Sequence, residues 1–322
     1  MDKILFIVGP TAVGKTSLAL KLAKKFKGEI ISADSRQVYK GMDVGTGKDL
    51  PEASQYQVSS IKYQRETVGF YLVKGVRIWG YDLIRPDEEF SVAHFVKFAW
   101  KVIKDVWKRG HLPIVVGGTG FFLKSILNPP KSMGIRPVEK LRDKLEGYTL
   151  SRLQRELERV SVGRWERMNQ SDRQNPRRLI RAIEVAYASK GNRSFLPKRE
   201  KTLDILWVGL TAPIQKLDDR VLRRVKLRVQ KRGMTDEVGR LRQLYPEWNQ
   251  QAFSATGYRE WRDYLEKRLT REKAISLWRQ RERQYLRRQL TWFRKQKSIR
   301  WFDCSKVEAY AGVVELVKNW YA

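Results

Sequence analysis

The sequence has very little cysteine and no long hydrophobic run. Its 322 residues include a single cysteine, Cys304, so neither an intrachain disulfide nor a cysteine-based zinc site can form. Low cysteine use is typical of the reducing cytosol, and we expect a cytoplasmic location. No apolar segment approaches the ~20 residues that a bilayer-spanning helix requires, so the sequence predicts no membrane segment.

Acidic residues are also scarce relative to basic ones. The chain holds 66 Lys and Arg against 35 Asp and Glu, a net charge of +31. Residues 1–130 contribute +8 and residues 131–322 contribute +23. A surplus of this size favours a polyanionic partner, because binding releases condensed counterions. Charge alone does not separate a nucleic acid from an anionic membrane surface, and solvated faces of basic helices are the simpler explanation for part of it.

Hydrophobic patterning predicts an α/β fold. The chain is 42% hydrophobic with 11 Trp, 13 Tyr and 12 Phe, which excludes wholesale disorder. Strand-like runs and helical patterns alternate over the first 130 residues, as in a parallel sheet flanked by helices. The predicted strands are Ile4–Val8, Glu29–Ala33, Val76–Leu83 and Leu112–Val116, and the predicted helices are Thr16–Phe26 and Val92–Lys108.

A highly charged helical segment interrupts this pattern. Between Pro137 and Gly191 no strand-like run occurs, whereas Leu203–Leu210 reads as a strand that could rejoin the sheet. The sequence therefore predicts an α/β core from residues 1–130 and 197–322, with an inserted all-helical domain at 131–196. In the C-terminal half, we interpret the aromatic residues between Trp278 and Trp292 as a helix core with a basic outer face, in preference to a base-stacking surface.

The segment Gly9–Thr16 matches G-x-x-x-x-G-K-[ST] and lies between a predicted strand and a predicted helix. In this motif backbone N–H groups surround phosphate oxygens, the lysine adds a positive charge and the hydroxyl can ligate Mg²⁺. The strand at Leu112–Val116 ends in Gly117-Gly118-Thr119-Gly120, without the aspartate typical of P-loop nucleotidases. Asp34, after the Glu29–Ala33 strand, is the acid expected at the carboxyl edge of the sheet.

Together these segments resemble one family, the tRNA dimethylallyltransferases or tRNA isopentenyltransferases, in their bacterial type. The resemblance spans nearly the whole chain and keeps the order of the family's motifs. The matching segments are G-P-T-A-V-G-K-T at Gly9–Thr16, I-S-A-D-S-R-Q-V-Y at Ile31–Tyr39, G-M-D-V-G-T-G-K at Gly41–Lys48, F-S-V-A-H-F at Phe90–Phe95, G-G-T-G-F-F at Gly117–Phe122, R-R-L-I-R-A-I-E-V at Arg177–Val185, T-G-Y-R-E at Thr256–Glu260 and R-Q-L-T-W-F at Arg288–Phe293.

The resemblance implies transfer of the dimethylallyl group of dimethylallyl diphosphate to N6 of the adenosine on the 3′ side of the tRNA anticodon, at position 37. The products would be N6-isopentenyladenosine and diphosphate. It further implies Asp34 as the general base, with Lys15, Thr16 and Arg228 acting on the leaving diphosphate and Thr16 ligating Mg²⁺. The implied diphosphate-binding set is Gly9, Thr11, Ala12, Val13, Gly14, Lys15, Thr16 and Arg228, with Arg224 as the competing arginine.

The resemblance also implies contacts to tRNA, whose target adenine must be extruded from its stack to reach the donor. Near the target adenosine they involve Asp34, Ser35, Arg36, Gln37 and Thr119. In and beside the inserted domain they involve Arg142, Arg177, Arg178 and Arg181. The stretch after Arg228 to Gly233 is shorter than is usual in the family, a departure that bears on the alignment of Arg228. The expected partners are tRNA and dimethylallyl diphosphate, with no membrane, and the protein is expected to be a monomer.

Three other functions remain open on the sequence. An adenylate isopentenyltransferase would prenylate free AMP or ATP, and would need neither the helical insertion nor the +23 surplus of residues 131–322. A P-loop kinase or RNA-dependent ATPase would use the same phosphate loop on a nucleotide. An RNA-binding module with a vestigial phosphate loop would catalyse nothing.

Overall fold

The computed structural model describes residues 2–48, 50–51, 54–63, 66–188, 202–230, 233–248 and 251–322. Within these residues eight strands form a single sheet. They are β1 Asp2–Val8, β2 Gly28–Ser32, β3 Gln55–Tyr63, β4 Glu66–Val73, β5 Val76–Trp79, β6 Leu112–Gly117, β7 Leu203–Thr211 and β8 Ile299–Asp303. In space their order is β3-β4-β5-β2-β6-β1-β7-β8.

Thirteen α-helices are found in the described residues, together with short 3₁₀ turns at Lys131–Gly134 and Ala252–Ser254. The helices are α1 Lys15–Lys25, α2 Val92–Lys108, α3 Gly120–Leu127, α4 Glu139–Glu146, α5 Leu150–Val160, α6 Val162–Arg167, α7 Gln170–Arg173, α8 Pro176–Ala188, α9 Ile214–Gln230, α10 Met234–Leu244, α11 Tyr258–Leu265, α12 Arg271–Arg294 and α13 Ala309–Tyr321. None of these described helices combines the length and apolar character that a bilayer crossing requires.

The mixed α/β fold predicted from the sequence is confirmed, but the sheet is not wholly parallel. Strands β5, β2, β6, β1, β7 and β8 run parallel, whereas β3 and β4 form an antiparallel hairpin beside β5. This hairpin was not predicted from the sequence, because β3 alternates weakly and carries few apolar residues, as an edge strand can. Strand β5 also ends at Trp79 rather than Leu83, because Gly80 and Asp82 take positive φ angles that interrupt a strand.

Parallel pairing brings three loops to one edge of the sheet. Val8 at the end of β1 pairs with Gly117 at the end of β6, and Ser32 at the end of β2 pairs with Val116. The segments that follow these strands are the phosphate loop, the loop of Asp34 and the glycine loop Gly117–Gly120. Gly9, with φ 143°, permits the tight exit from β1, since a Cβ there would lie 2.3 Å from the Leu210 carbonyl oxygen. This edge is where open α/β sheets bind ligands.

The chain divides into two compact units. The first comprises Met1–Leu127 and Lys201–Ala322 and contains the sheet, and the second comprises Asn128–Glu200. In its described residues the second unit is helical, and it has its own apolar core of Leu145, Leu153, Leu157, Leu179, Ile180 and Ile183. The insertion limit predicted at residue 196 falls within 189–201, outside the described residues.

A buried lysine anchors the segment that follows the Asp34 loop. The side chain of Lys48 is fully buried, and its ammonium group donates to the Tyr39 carbonyl at 2.9 Å. It also pairs with Asp43 and with Asp82, each at 2.5 Å. Asp82 accepts in addition from the Tyr71 hydroxyl on β4 at 2.6 Å. One ammonium group thus connects the Gly41–Lys48 segment to the turn after β5.

We predict that Lys48→Met lowers the free energy of unfolding by about 3 kcal/mol, because it leaves the largely buried Asp82 carboxylate without its cation. Urea denaturation measures this change. Lys297→Met on the exposed surface is the matched control and should change stability by less than about 0.5 kcal/mol. Equal effects of the two substitutions would contradict the assigned role of the Lys48 cluster.

Candidate active site

The phosphate loop has the geometry of an anion-binding turn. Ala12 and Gly14 have positive φ angles of 61° and 93°, and α1 begins directly after them at Lys15. Among the described residues no side chain caps the first turn of α1, and that turn contains no acidic residue. Uncapped N–H groups and the positive end of the helix dipole therefore favour an anion at this position.

The pKa of the Lys15 ammonium group is lower than its ordinary value. Its ammonium group donates to the Pro10 carbonyl at 2.7 Å. Burial and the nearby guanidinium of Arg224 lower the pKa of Lys15 to about 8, against the opposing attraction of Asp34. The three side chains therefore influence one another, and an added polyanion would restore the full charge of Lys15.

Arg224 contacts the phosphate loop. Arg224 donates to the Thr11 hydroxyl at 2.6 Å and to Glu282 on α12 at 2.8 Å. Arg228 lies one turn further along α9, is only 2% exposed, and donates to the Gly45 carbonyl at 3.0 Å. This position gives Arg228 a structural contact to the Gly41–Lys48 segment. Arg224 is thus the arginine with a described contact to the phosphate loop, and the predicted contact of Arg228 with the diphosphate stays a prediction.

Asp34 lies on a short loop that is tied to the glycine loop. Its Oδ1 accepts from the Arg36 backbone N–H at 2.8 Å, which orients the carboxylate. The Thr119 hydroxyl accepts from the Ser35 backbone N–H at 3.3 Å. The structure thus brings Asp34, Ser35 and Thr119 together, as the predicted target-adenosine site requires.

The side chains of Arg36 and Gln37 are engaged within the protein. Gln37 accepts from the Ser32 hydroxyl at 2.8 Å and donates to the Gly47 carbonyl at 2.9 Å. Arg36 donates to the Ser254 hydroxyl at 2.9 Å. Both residues, predicted to contact tRNA, also hold neighbouring segments in place.

Glu237 on α10 fixes the Gly41–Lys48 segment from the opposite side. Its carboxylate accepts from the backbone N–H groups of Asp43, Val44 and Gly45 at 2.8, 2.8 and 3.1 Å, and from the Tyr258 hydroxyl at 2.7 Å. Glu237 was not predicted from the sequence. Its backbone partners lie about 190 residues earlier in the chain, and no local pattern indicates such contacts.

The polar face of α12 also escaped sequence analysis. Glu282, Tyr285 and Gln289 are spaced i, i+3 and i+7, so they lie on one face of the helix. Tyr285 lies close to Thr119 and Asp34, and burial followed by the charge of Asp34 raises the pKa of the Tyr285 phenol. Trp278, Leu290 and Phe293 are buried, in agreement with the predicted helix core. Tyr285 is half-buried and faces the site.

The metal-ligating groups of the site are few. Among the described residues no cluster of three or more His, Cys, Asp or Glu could hold an ion by itself. The Thr16 side chain is exposed at the start of α1. This donor set fits Mg²⁺, which commonly takes one or two protein oxygens and completes its coordination with substrate phosphates and water.

Three of the four arginines predicted in the second unit have ion pairs there. Arg142 makes two hydrogen bonds to the buried Glu184, both of 3.1 Å, and Arg181 donates to the same carboxylate at 3.2 Å. Arg181 also donates to the Ser132 and Ile135 carbonyls. Arg178 pairs with Asp172. Arg177 is exposed at the start of α8 and pairs with no described residue.

Comparisons with known proteins agree with one another. The IPP transferase family model matches residues 37–296, and an isopentenyl transferase model matches residues 2–61. A tRNA dimethylallyltransferase from Carboxydothermus hydrogenoformans is 38% identical over 314 residues, which cover 95% of this chain and 93% of the relative. The solved tRNA isopentenylpyrophosphate transferase of Bacillus halodurans is 32% identical, with a TM-score of 0.69 over 99% of this chain and 97% of that one. A eukaryotic dimethylallyltransferase is 24% identical with a TM-score of 0.77, which shows a shared fold over 100% of this chain and 79% of that one.

We predict that binding of magnesium diphosphate weakens as pH rises from about 7 to about 9.5. The pKa of Lys15 in the free protein is about 8. Lys15 is therefore charged well below that pH and neutral well above it. The attraction of Lys15 for the anion is lost together with its charge. Calorimetric titration measures the dissociation constant at each pH.

Lys15→Arg is the matched control, because a guanidinium stays charged over this range. Titration of diphosphate itself affects both proteins equally and cancels in their ratio. If the ratio of the two affinities were independent of pH, the lowered pKa would have no role in binding.

Proposed function

The chain belongs to the IPP transferase family, and we propose that it transfers the dimethylallyl group of dimethylallyl diphosphate to N6 of the adenosine at tRNA position 37, on the 3′ side of the anticodon. It is a prenyltransferase that modifies tRNA. We assign the site from one observation. An anion-binding loop, Asp34 and Thr119 meet at one edge of the sheet.

The diphosphate of the donor is proposed to bind at the phosphate loop. Uncapped N–H groups of α1 and the ammonium group of Lys15 attract it, and Arg224 at Thr11 adds a guanidinium that can pair with oxyanions. In the transfer, N6 forms a bond to the allylic carbon while the bond from that carbon to the diphosphate oxygen breaks. Negative charge then accumulates on the leaving diphosphate, where Lys15 stabilises it.

Asp34 is proposed to accept the proton that N6 loses as it attacks. The carboxylate is oriented by the Arg36 N–H, and Thr119, held by Ser35, lies beside it to contact the target nucleotide. Tyr285 on α12 lies close to both Thr119 and Asp34. Proton transfer to Asp34 requires that the adenine leave its base stack and be held against the carboxylate.

Mg²⁺ is proposed as the cofactor, held by the Thr16 hydroxyl together with the diphosphate. When bound, it neutralises charge on the leaving group. Thr16 presents its oxygen at the start of α1, where the helix dipole already favours the anion, and Lys15 supplies the adjacent positive charge.

The anticodon arm of tRNA is the proposed polyanionic partner. Residues 131–322 carry a net charge of +23, and the helical second unit exposes Arg177. We further propose that the protein acts in the cytoplasm, as a monomer and without a membrane partner. The helical unit and the charge disfavour an adenylate isopentenyltransferase, and the glycine loop in place of a strand-end aspartate disfavours a kinase.

One assay separates these functions. The protein is incubated with Mg²⁺, labelled dimethylallyl diphosphate and either unmodified tRNA or AMP. Label in tRNA is the expected result, whereas label only in AMP would indicate the adenylate enzyme. Consumption of ATP without any prenyl transfer would contradict both prenyltransferase functions.

We predict that Asp34→Ala lowers the single-turnover rate of prenyl transfer on the order of 10²–10⁴-fold, because the proton on N6 loses its acceptor. Binding of tRNA should change little. Asp34→Asn keeps an oxygen for the Arg36 N–H but is not basic, and should lose as much rate. Near-normal transfer by the Asn variant would show that Asp34 orders the loop and is not the base.

Two arginines of the second unit should behave differently. We predict that Arg177→Gln weakens tRNA binding and lowers the slope of log affinity against log salt by about 1, with stability unchanged. Arg181→Gln should also lower the melting temperature, because Arg181 holds Glu184 and two backbone carbonyls. Binding titrations at several salt concentrations and thermal unfolding test both variants. An unchanged salt slope for Arg177→Gln would exclude a phosphate contact at that residue.

A further inference from the structure

One side chain joins the loop proposed to bind the donor to the loop proposed to face the acceptor. Gln289 lies on α12 and is 6% exposed. Its Oε1 accepts from the Thr11 backbone N–H at 2.8 Å, and its Nε2 donates to the Gly118 carbonyl at 2.9 Å. Thr11 belongs to the phosphate loop, and Gly118 precedes Thr119 in the glycine loop.

The amide can make this bridge in one orientation only. Rotating it by 180° would place Nε2 against an N–H donor and Oε1 against a carbonyl acceptor. The contact also requires glycine at position 118, because a Cβ there would lie 2.1 Å from Nε2. The Gln289 amide and the Gly118 backbone are therefore held at hydrogen-bonding distance.

Thr11 is held to α12 by a second route. Its hydroxyl accepts from Arg224, and Arg224 is held by Glu282, which lies seven residues before Gln289 on the same helix. The phosphate loop thus rests against α12 through both its backbone and its side chain. The Thr11 N–H is used in this attachment.

We propose that Gln289 is a positioning residue that sets the distance between the allylic carbon of the donor and N6 of the target adenosine. The proposal rests on the proposed function, and Gln289 itself touches no reacting atom. Bond formation between two bound substrates needs their atoms about 3–3.5 Å apart, and a misplacement of about 1 Å can cost about 10²-fold in rate. A bridge of two hydrogen bonds between the two loops limits such misplacement.

The test compares two substitutions at Gln289 with a matched control. Gln289→Met keeps approximately the volume of the side chain and removes both hydrogen bonds. Gln289→Glu keeps an oxygen for the Thr11 N–H and places a second oxygen against the Gly118 carbonyl. The control is Gln284→Met, on an exposed position of the same helix. Single-turnover transfer to unmodified tRNA is measured, together with the separate dissociation constants of magnesium diphosphate and of tRNA.

For Gln289→Met the transfer rate should fall about 10²-fold, with each dissociation constant changed less than about threefold. Gln284→Met should match the wild type in all three measurements. This separation of rate from binding is what a change in relative positioning produces. A loss of rate that simply followed a loss of either binding affinity would overturn the proposal, as would a normal rate for the Met variant.

The Glu variant allows a second test, because a simple loss of packing would not make the transfer rate depend on pH. This variant also tests the proposal if the Met variant does not fold. A protonated carboxyl can donate to the Gly118 carbonyl and accept from the Thr11 N–H, as the amide does. The ratio of its rate to that of the wild type should therefore rise as pH falls from about 8 to about 6. A wild-type rate for the Glu variant throughout this range would overturn the proposal. If the wild type itself transferred no prenyl group to tRNA, the proposed function would fail instead.

Discussion

The contact of the α12 polar face with the loops at the sheet edge is the interaction on which the site depends. Loops that bind anions keep their N–H groups turned toward the ligand, so they have little apolar surface with which to hold themselves in place. Helix α12 supplies the missing support through Glu282, Tyr285 and Gln289, each of which reaches a different part of the site. Because all three lie on one rigid helix, the phosphate loop and the glycine loop share a single frame.

Side chains from elsewhere in the fold also hold the Gly41–Lys48 segment, and here these side chains are charged. Three successive backbone N–H groups would form an anion-binding concavity, and here the protein's own Glu237 occupies it. Lys48 neutralises carboxylates at the other end of the segment. The segment in turn accepts from Gln37, next to the loop of Asp34. Buried charges are costly unless paired, so removing either partner destabilises the segment more than the pair itself contributes.

Local signals in the sequence predicted local structure well. Ser91 caps α2, whose observed bounds Val92–Lys108 match the prediction, and the phosphate loop lies between β1 and α1 as expected. The β3–β4 hairpin was missed because it lacks strong alternation. Arg224 and Arg228 are four residues apart and lie on the same face of α9, so the sequence pattern does not distinguish them. Their described contacts differ because successive turns of the helix reach different loops, Thr11 for Arg224 and Gly45 for Arg228. Gln289 and Glu237 act on backbone groups 171 to 278 residues away, and no periodic pattern records such pairs.

Internal ion pairs fix the positions of basic side chains but do not remove the net positive charge of the chain. In the second unit two arginines, Arg142 and Arg181, share the single carboxylate of Glu184, so this group retains one net positive charge despite its pairing. The same holds for the chain as a whole, because 35 acidic residues can neutralise at most 35 of its 66 Lys and Arg. Pairing therefore orders the basic side chains without removing the attraction for a polyanion. A rigid arginine loses less conformational entropy on meeting a phosphate than a mobile one does, which favours ordered basic surfaces for RNA.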